Sequence, residues 1–274
     1  MIRIDLHTHS TYSDGTCSVE QIVRLASRRG VSVLAITDHD TLDGVDAFVT
    51  HCQECGVRPV TGIELTAKSP FTAHILGYRI LRPYLLREAL SWILSRRHER
   101  NEQLCRRLRE LGVEIDMAEV LAVASGGVPG RPHFAAVLLK KGYVGSAREA
   151  FSKYLARGGD AYVPREAYAP EECVRLIQES GGLPVFAHPS LTGLEDGALV
   201  EFLQRLRACG LWGLECITTH CSTQETYRYL TIAERVGLFP TAGSDFHGTR
   251  RPSACLGVQV SEQFLPWARL GVRL

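Results

Sequence analysis

Six of the ten histidines, His7, His9, His39, His74, His188 and His247, lie at or near the ends of short apolar runs, and Glu64, Asp245 and Asp14 share that placement. Imidazole nitrogens and carboxylate oxygens are ligands for divalent metal ions. Nine such side chains are too many for one ion and suit two or three. Ile2, Ile4 and Leu6 alternate with Arg3, Asp5, His7 and His9, the period of a half-buried strand, so both imidazoles project from one face at its end. Alone, a His-x-His is weak evidence. Its recurrence in kind at later strand ends is what points to a polynuclear metal site, whereas His51 and His98 fall in helix-like stretches and stand apart.

Positioning these groups requires strands that end at one place. Apolar runs at Val31–His39, Val57–Glu64, Thr72–Tyr78, Leu183–Pro189, Trp212–Cys216 and Leu238–His247 follow the first strand. Between them come helix patterns, such as Ser18–Gly30 with Ser18 as N-cap and Gly30 as stop, and Asp43–Cys55. Alternating strands and helices argue for a parallel sheet, and seven strands favour a barrel whose strand ends meet at one mouth. The fold class is therefore α/β. Residues 1–84 and 166–274 are expected to form the barrel, and 85–165 a helical insertion over its mouth.

Composition narrows the field. A 45% hydrophobic, 22% charged chain with net charge +1 is ordinary for a globular enzyme and makes no case for duplex DNA. No apolar run approaches the length of a membrane span, and no basic-then-apolar leader opens the sequence. Nine cysteines, an odd number, suggest reduced thiols and a cytoplasmic setting. Cys52 and Cys55 have zinc-like spacing but lack a second pair and lie in a helical stretch. No phosphate loop of the Gly-x4-Gly-Lys form is present, so ATP-driven chemistry is not indicated.

His7-Thr-His9, the Asp14 loop, Thr37-Asp-His39, Gly62-Ile-Glu64, Ala187-His188-Pro189 and Ser244-Asp245-Phe-His247 resemble, in order, the motifs of the polymerase and histidinol phosphatase superfamily. The resemblance implies a distorted (β/α)7 barrel and usually a trinuclear metal cluster. Carried over, it implies that His7, His9, Glu64 and Asp245 hold one metal. Glu64 would bridge to a second, held also by His74 and His188, and Asp14, His39 and His247 would hold a third. Asp38 is expected to orient a ligand rather than be one. Catalysis would rest on His7, His9, Glu64, Asp245 and His247. Manganese suits such donors best, with iron or zinc chemically tolerable.

The segment from Leu85 to Arg165 carries 14 Lys/Arg against 9 Asp/Glu, a net of +5 that leaves −4 for the remainder. A basic cover on an acidic mouth suits an anionic substrate. Most of Arg96, Arg97, Arg100, Arg106 and Arg107, on a long helix pattern from Glu88 to Leu111, read as a solvated face. Gly126-Gly-Val-Pro-Gly-Arg131-Pro132-His133 differs: glycines free the backbone to approach a ligand, and Pro132 suits a helix start. Arg131 and His133 are expected to meet phosphate oxygens there, and His220, after strand six, to contact substrate. Tyr168 and Phe134 are candidate platforms for a base.

The Arg-Pro-His stretch resembles the insertion of the tryptophan-operon-associated subgroup of that superfamily. That likeness implies a small nucleotide substrate with two phosphates, or short RNA. Paired cations lower the pKa of a water between them and offset charge on the phosphate oxygens. The expected activity is removal of the 3′-phosphate from a nucleoside 3′,5′-bisphosphate. The alternatives are a 5′-to-3′ exoribonuclease, a histidinol-phosphate phosphatase and a non-catalytic metal-binding module. The intact ligand set argues against the last.

Overall fold

The computed structural model describes residues 1–124, 126–219 and 221–273. Eight strands form one sheet in the order β7-β6-β5-β4-β3-β2-β1-β8: β1 Ile2–Asp5, β2 Val31–Ile36, β3 Arg58–Thr66, β4 His74–Tyr78, β5 Leu183–Phe186, β6 Gly213–Thr218, β7 Phe239–Gly243 and β8 Val258–Val260. The ends nearly meet, because Leu6 N–H donates to Ala242 O (3.1 Å) and Thr8 bridges Phe246. The result is an α/β distorted barrel wrapped by helices.

Inward-facing residues from around the barrel, including Ile4, Val33, Val60, Leu76, Val185 and Ala242, fill its interior, with Trp212, Trp267 and Leu270 in the same cluster. Helices α1 (Val19–Arg28) and α2 (Val45–Cys55) cover β2 from outside, and Phe48 and Ile22 are fully buried there. Ser18 caps α1 as expected, accepting from Gln21 N–H in a capping box. Helices α7 (Pro170–Glu179), α8 (Asp196–Ala208) and α9 (Thr223–Val236) bury Ile177, Leu203 and Ile232 against β5, β6 and β7. Among the described residues no helix is long and apolar enough to cross a membrane.

Two features depart from an all-parallel barrel. Strand β8, not anticipated, pairs antiparallel with β1. Strand β4 runs antiparallel to both neighbours, with Thr66 opposite His74 and Gly62 opposite Tyr78. The short Ala67–Ala73 link turns β3 directly into β4, as a hairpin permits and a parallel crossover does not. His74 therefore reaches the mouth from the start of its strand, not from its end.

After β4 the chain stands at the base of the barrel, where Leu81 and Arg82 N–H groups both donate to Ser180 O. From there α3 (Arg87–Glu110) leads to α4 (Met117–Ala124), α5 (Arg131–Lys140), the single turn α6 (Ala147–Ala150) and a π-helical turn at Phe151–Leu155. Leu104, Leu108, Val120, Phe134, Leu138 and Leu155 form a core of their own among these helices.

Candidate metal centre

Glu64, near the end of β3 and fully buried, is the hub. Its Oε1 lies 2.9 Å from His74 Nδ1, 3.1 Å from His188 Nε2 and 3.4 Å from His7 Nε2. Its Oε2 lies 2.9 Å from His39 Nδ1 and 3.2 Å from His9 Nε2. Asp245, after β7, puts Oδ1 within 3.5 Å of His7 Nε2, 3.4 Å of His9 Nε2 and 3.3 Å of His247 Nδ1. Asp14 Oδ1 is 3.2 Å from His247 Nε2. The nine sequence-derived ligand candidates thus converge, and three donor groups stand out: His9, Asp14, His39 and His247; His7, His9 and Asp245; His39, Glu64 and His74. His188 joins the last, with Nε2 3.1 Å from His74 Nδ1.

The donor set fits divalent cations. His39 Nδ1, Glu64 Oε2, Asp14 Oδ1 and His188 Nδ1 are buried without a hydrogen-bond partner. Burial at a barrel mouth is costly for such atoms unless something satisfies them. Burial, reinforced by His247 and His39, depresses His9 to about 3, and burial likewise takes His74 to about 3, leaving both imidazoles neutral with free lone pairs. Burial pushes Glu64 and Asp14 upward, but facing histidines outweigh it and hold both carboxyls well below their ordinary range. His7 is the exception: burial opposes its protonation, yet Glu215 and Glu64 raise it to about 10. The cluster attracts positive charge.

Groups behind the ligands hold them. Glu215, fully buried on β6, accepts from His7 Nδ1 (3.0 Å) and from His188 N–H (2.7 Å). That second bond anchors His188 at φ 28°, a conformation L residues rarely adopt. Asp5 accepts from His7, Ser244 and Gly257 N–H groups, tying β1 to the segment after β7. Asp38, expected to orient a ligand, accepts from Ser10 N–H (2.8 Å), Ser10 Oγ (2.6 Å) and Ser13 Oγ (2.5 Å). It shapes the Asp14 loop; Ser13, 3.5 Å from His9 Nδ1, links its carboxylate to one donor, and its own carbonyl accepts from Glu64 N–H (3.2 Å).

A cavity of about 580 Å³ opens above the cluster, lined in part by five arginines, Arg97, Arg131, Arg165, Arg250 and Arg251. Reading the arginines of α3 as a solvated face holds for Arg106 and Arg107 but not for Arg97 and Arg100, which are 8% and 4% exposed. Arg97 pairs with buried Asp40, and Arg251 with Asp245. Among the described residues Arg131, Arg165 and Arg250 form no ion pair with a carboxylate. Burial and the nearby Arg97 and Arg131 bring Arg165 down to about 9, and burial lowers Arg131. Arg100 keeps Nε and Nη2 buried without partners. A cationic wall this short of counter-charge is built for an anion.

Other expectations need correction. His133 does not line the cavity: it is 1% exposed, and its Nδ1 accepts from Gly130 N–H (3.0 Å), capping its own helix, while Nε2 faces Arg250 (2.9 Å). The glycine loop packs on the barrel as well as facing the cavity: a Cβ on Gly127 would stand 2.2 Å from Thr11 O and Val128 N–H donates to Tyr12 O (3.0 Å), while Val128 and Gly130 line the cavity. Phe134 is fully buried in the core of the helical segment. Tyr168 packs its ring on Trp92 (centroids 4.7 Å apart), outside the cavity lining. His220 lies outside the described residues.

A barrel whose mouth gathers imidazoles and carboxylates under a cationic cover defines a metal-dependent phosphoesterase. The chain matches the PHP domain family over residues 5–162, more than half its length, and belongs to that family. It is 31% identical to the 5′-3′ exoribonuclease Rnm of Salmonella typhimurium, covering 98% of this chain and 88% of that protein. It is 30% identical to a 3′,5′-nucleoside bisphosphate phosphatase of Chromobacterium violaceum, covering 90% and 88%. A phosphoribosyl 1,2-cyclic phosphate 1,2-diphosphodiesterase of Eggerthella lenta is 33% identical over 89% of this chain and 94% of its own. An amidohydrolase structure from Chromobacterium violaceum, with sulfate bound and no metal, superposes with a TM-score of 0.89 at 28% identity, covering 98% and 95%.

Proposed function

We propose that the chain removes the 3′-phosphate from nucleoside 3′,5′-bisphosphates, using two or three divalent cations, with manganese the metal that suits its donors best. The observation that carries this reading is one cavity with two walls that could each hold a phosphate: the donor cluster on the barrel side, through the cations it would bind, and the arginines opposite. One phosphate would lie at the cluster and the other at Arg97, Arg131 and Arg165. The helices between positions 85 and 165 form, in this reading, a unit that brings the arginines to the mouth. Cations at the cluster supply the acidity that makes water nucleophilic near neutral pH and the charge that offsets the phosphoryl oxygens.

The chain's own residues do the rest. His7, His9, Glu64 and Asp245 would hold the first cation, His74 and His188 with Glu64 the second, and Asp14, His39 and His247 the third. Glu215 fixes His7 so that Nε2 faces the cluster. The arginines orient the substrate through its second phosphate, and the absence of thiolates among the donors favours manganese over softer metals, though iron or zinc would be held.

A second reading, 5′-to-3′ trimming of short RNA, is favoured by the likeness to Rnm. Both readings put a 5′-phosphate on the arginines and a 3′-phosphate at the cluster, and differ only in what hangs beyond the 3′-phosphate. Release of phosphate and adenosine 5′-monophosphate from adenosine 3′,5′-bisphosphate, measured beside release of mononucleotides from a 5′-phosphorylated dinucleotide and of phosphate from histidinol phosphate, all with manganese present, separates them. Preference for the dinucleotide would replace the first reading with the second, and preference for histidinol phosphate would overturn both.

A further inference from the structure

The cavity has a third wall that neither the metals nor the phosphates use. Pro132, Ala135, Ala136 and Leu139 line it at the i, i+3, i+4, i+7 spacing of one face of α5. Arg131 at the start of that helix faces the same cavity, so the wall runs from the cationic region outward for about 12 Å, the rise of eight residues. Ala147 and Phe151 from the next turns join it, Phe151 at the head of the π-helical turn, and Leu191 joins it three residues beyond His188. Leu139 and Leu191 are 44% and 42% exposed, large apolar side chains left open in the same cavity as the arginines and the donor cluster.

Resting on the bisphosphate reading, we propose that this wall binds the nucleobase, with Phe151 as its stacking platform and Leu139 and Leu191 flanking it. Small alanines leave a shallow, flat recess between bulkier ends, which suits a planar ring. An aromatic side chain stacks on any base, because each base has a π-face. Alanine, leucine and phenylalanine side chains offer no hydrogen-bond donor or acceptor, so the wall reads the presence of a base and not its identity. This replaces Tyr168 and Phe134, which do not reach the cavity.

The test compares kcat/KM, with manganese, for the adenosine and guanosine 3′,5′-bisphosphates and for an abasic ribose 3,5-bisphosphate, in wild type, Phe151→Ala and Leu191→Ala. The abasic compound is expected to be cleaved at least about tenfold less efficiently than either nucleotide, and the two nucleotides within about threefold of each other. Phe151→Ala should narrow the adenosine-to-abasic ratio about tenfold, and Leu191→Ala should narrow it less. A ratio is read because partial unfolding lowers both rates together. Equal cleavage of abasic and nucleotide substrates, or a ratio unmoved by Phe151→Ala, overturns the proposal, and a purine preference above tenfold overturns its claim of base tolerance. Failure to cleave any bisphosphate, while p-nitrophenyl phosphate is cleaved, overturns the parent reading and this one with it.

Discussion

Glu215 on β6 accepts the Nδ1 proton of His7 on β1 across 3.0 Å, and so decides that His7 presents Nε2 to the cluster. Neither residue is exposed to solvent. The pair fixes a tautomer rather than merely filling space.

Glu215→Gln keeps a hydrogen-bonding group but removes the charge that raises the basicity of His7. Metal affinity should fall about ten- to a hundredfold. Titrating a chelator against metal-loaded protein and following bound manganese reads this directly. An unchanged chelator midpoint would mean that Glu215 is a structural carboxylate only.

The clustering of nine donors predicts at least two ions per chain. Elemental analysis after manganese loading and gel filtration should give two to three, and Glu64→Gln should give fewer, since Glu64 lies within 3.4 Å of five imidazoles. Metal removal should abolish hydrolysis and lower the thermal midpoint, because ions that bind only the folded chain stabilise it. No more than one ion per loaded chain would sink this prediction.

Arg165→Ala separates activity from stability. A lost charge-assisted bond to phosphate removes about 1.5–3 kcal/mol, so kcat/KM for a bisphosphate should fall about ten- to a hundredfold. Stability should hold or rise, because Arg97 and Arg131 lose a like charge that burial makes costly. Arg106→Ala, on the exposed face of α3, should change neither. Equal losses from Arg165→Ala and Arg106→Ala would displace the second phosphate from this wall.

His133 gives an acid-sensitivity prediction. Burial, with Arg250 beside it, depresses its pKa from 6.5 to about 4. The folded chain then resists a proton that the unfolded chain takes up. Stability is fully present above about pH 6.5 and is lost as pH falls toward about 4, by about 3 kcal/mol from this residue. His133→Gln retains an acceptor for Gly130 N–H and cannot titrate. In urea unfolding of chelator-treated protein at pH 7 and pH 4.5, the variant should lose about 2 kcal/mol less than wild type. Identical losses would assign the acid sensitivity elsewhere.

The donor cluster was legible in the sequence because strand ends repeat: every histidine motif in it but that of His74 follows an apolar run, and barrel geometry does the gathering. The reversal of β4 was not, since an apolar run has no arrow, and only the short Ala67–Ala73 link hints at a hairpin. Glu215 has a signal of its own, a carboxylate inside the apolar run Gly213–Thr218. The arginines have one too. Arg97 and Arg100 are in helical phase with Ile93, Leu104 and Leu108, and so belong to the buried stripe. Arg165, Arg250 and Arg251 reach the cavity only through tertiary packing, which periodicity does not encode.

Helix α3 leaves the base of the barrel and arrives at the mouth, where Arg97 meets Asp40 and Asn101 donates to Pro129 O (3.1 Å). Such a rod transmits phase. One residue inserted or deleted between Arg87 and Arg97 turns everything beyond it by about 100° and shifts it by about 1.5 Å, so Arg97 would swing out of the cavity and Arg100 out of its buried place, with every other site residue unchanged. A change of seven residues, close to two turns, restores the angle but displaces the rod by about 10 Å along its axis. The spacing from Arg87 to Arg97 is therefore locked in length.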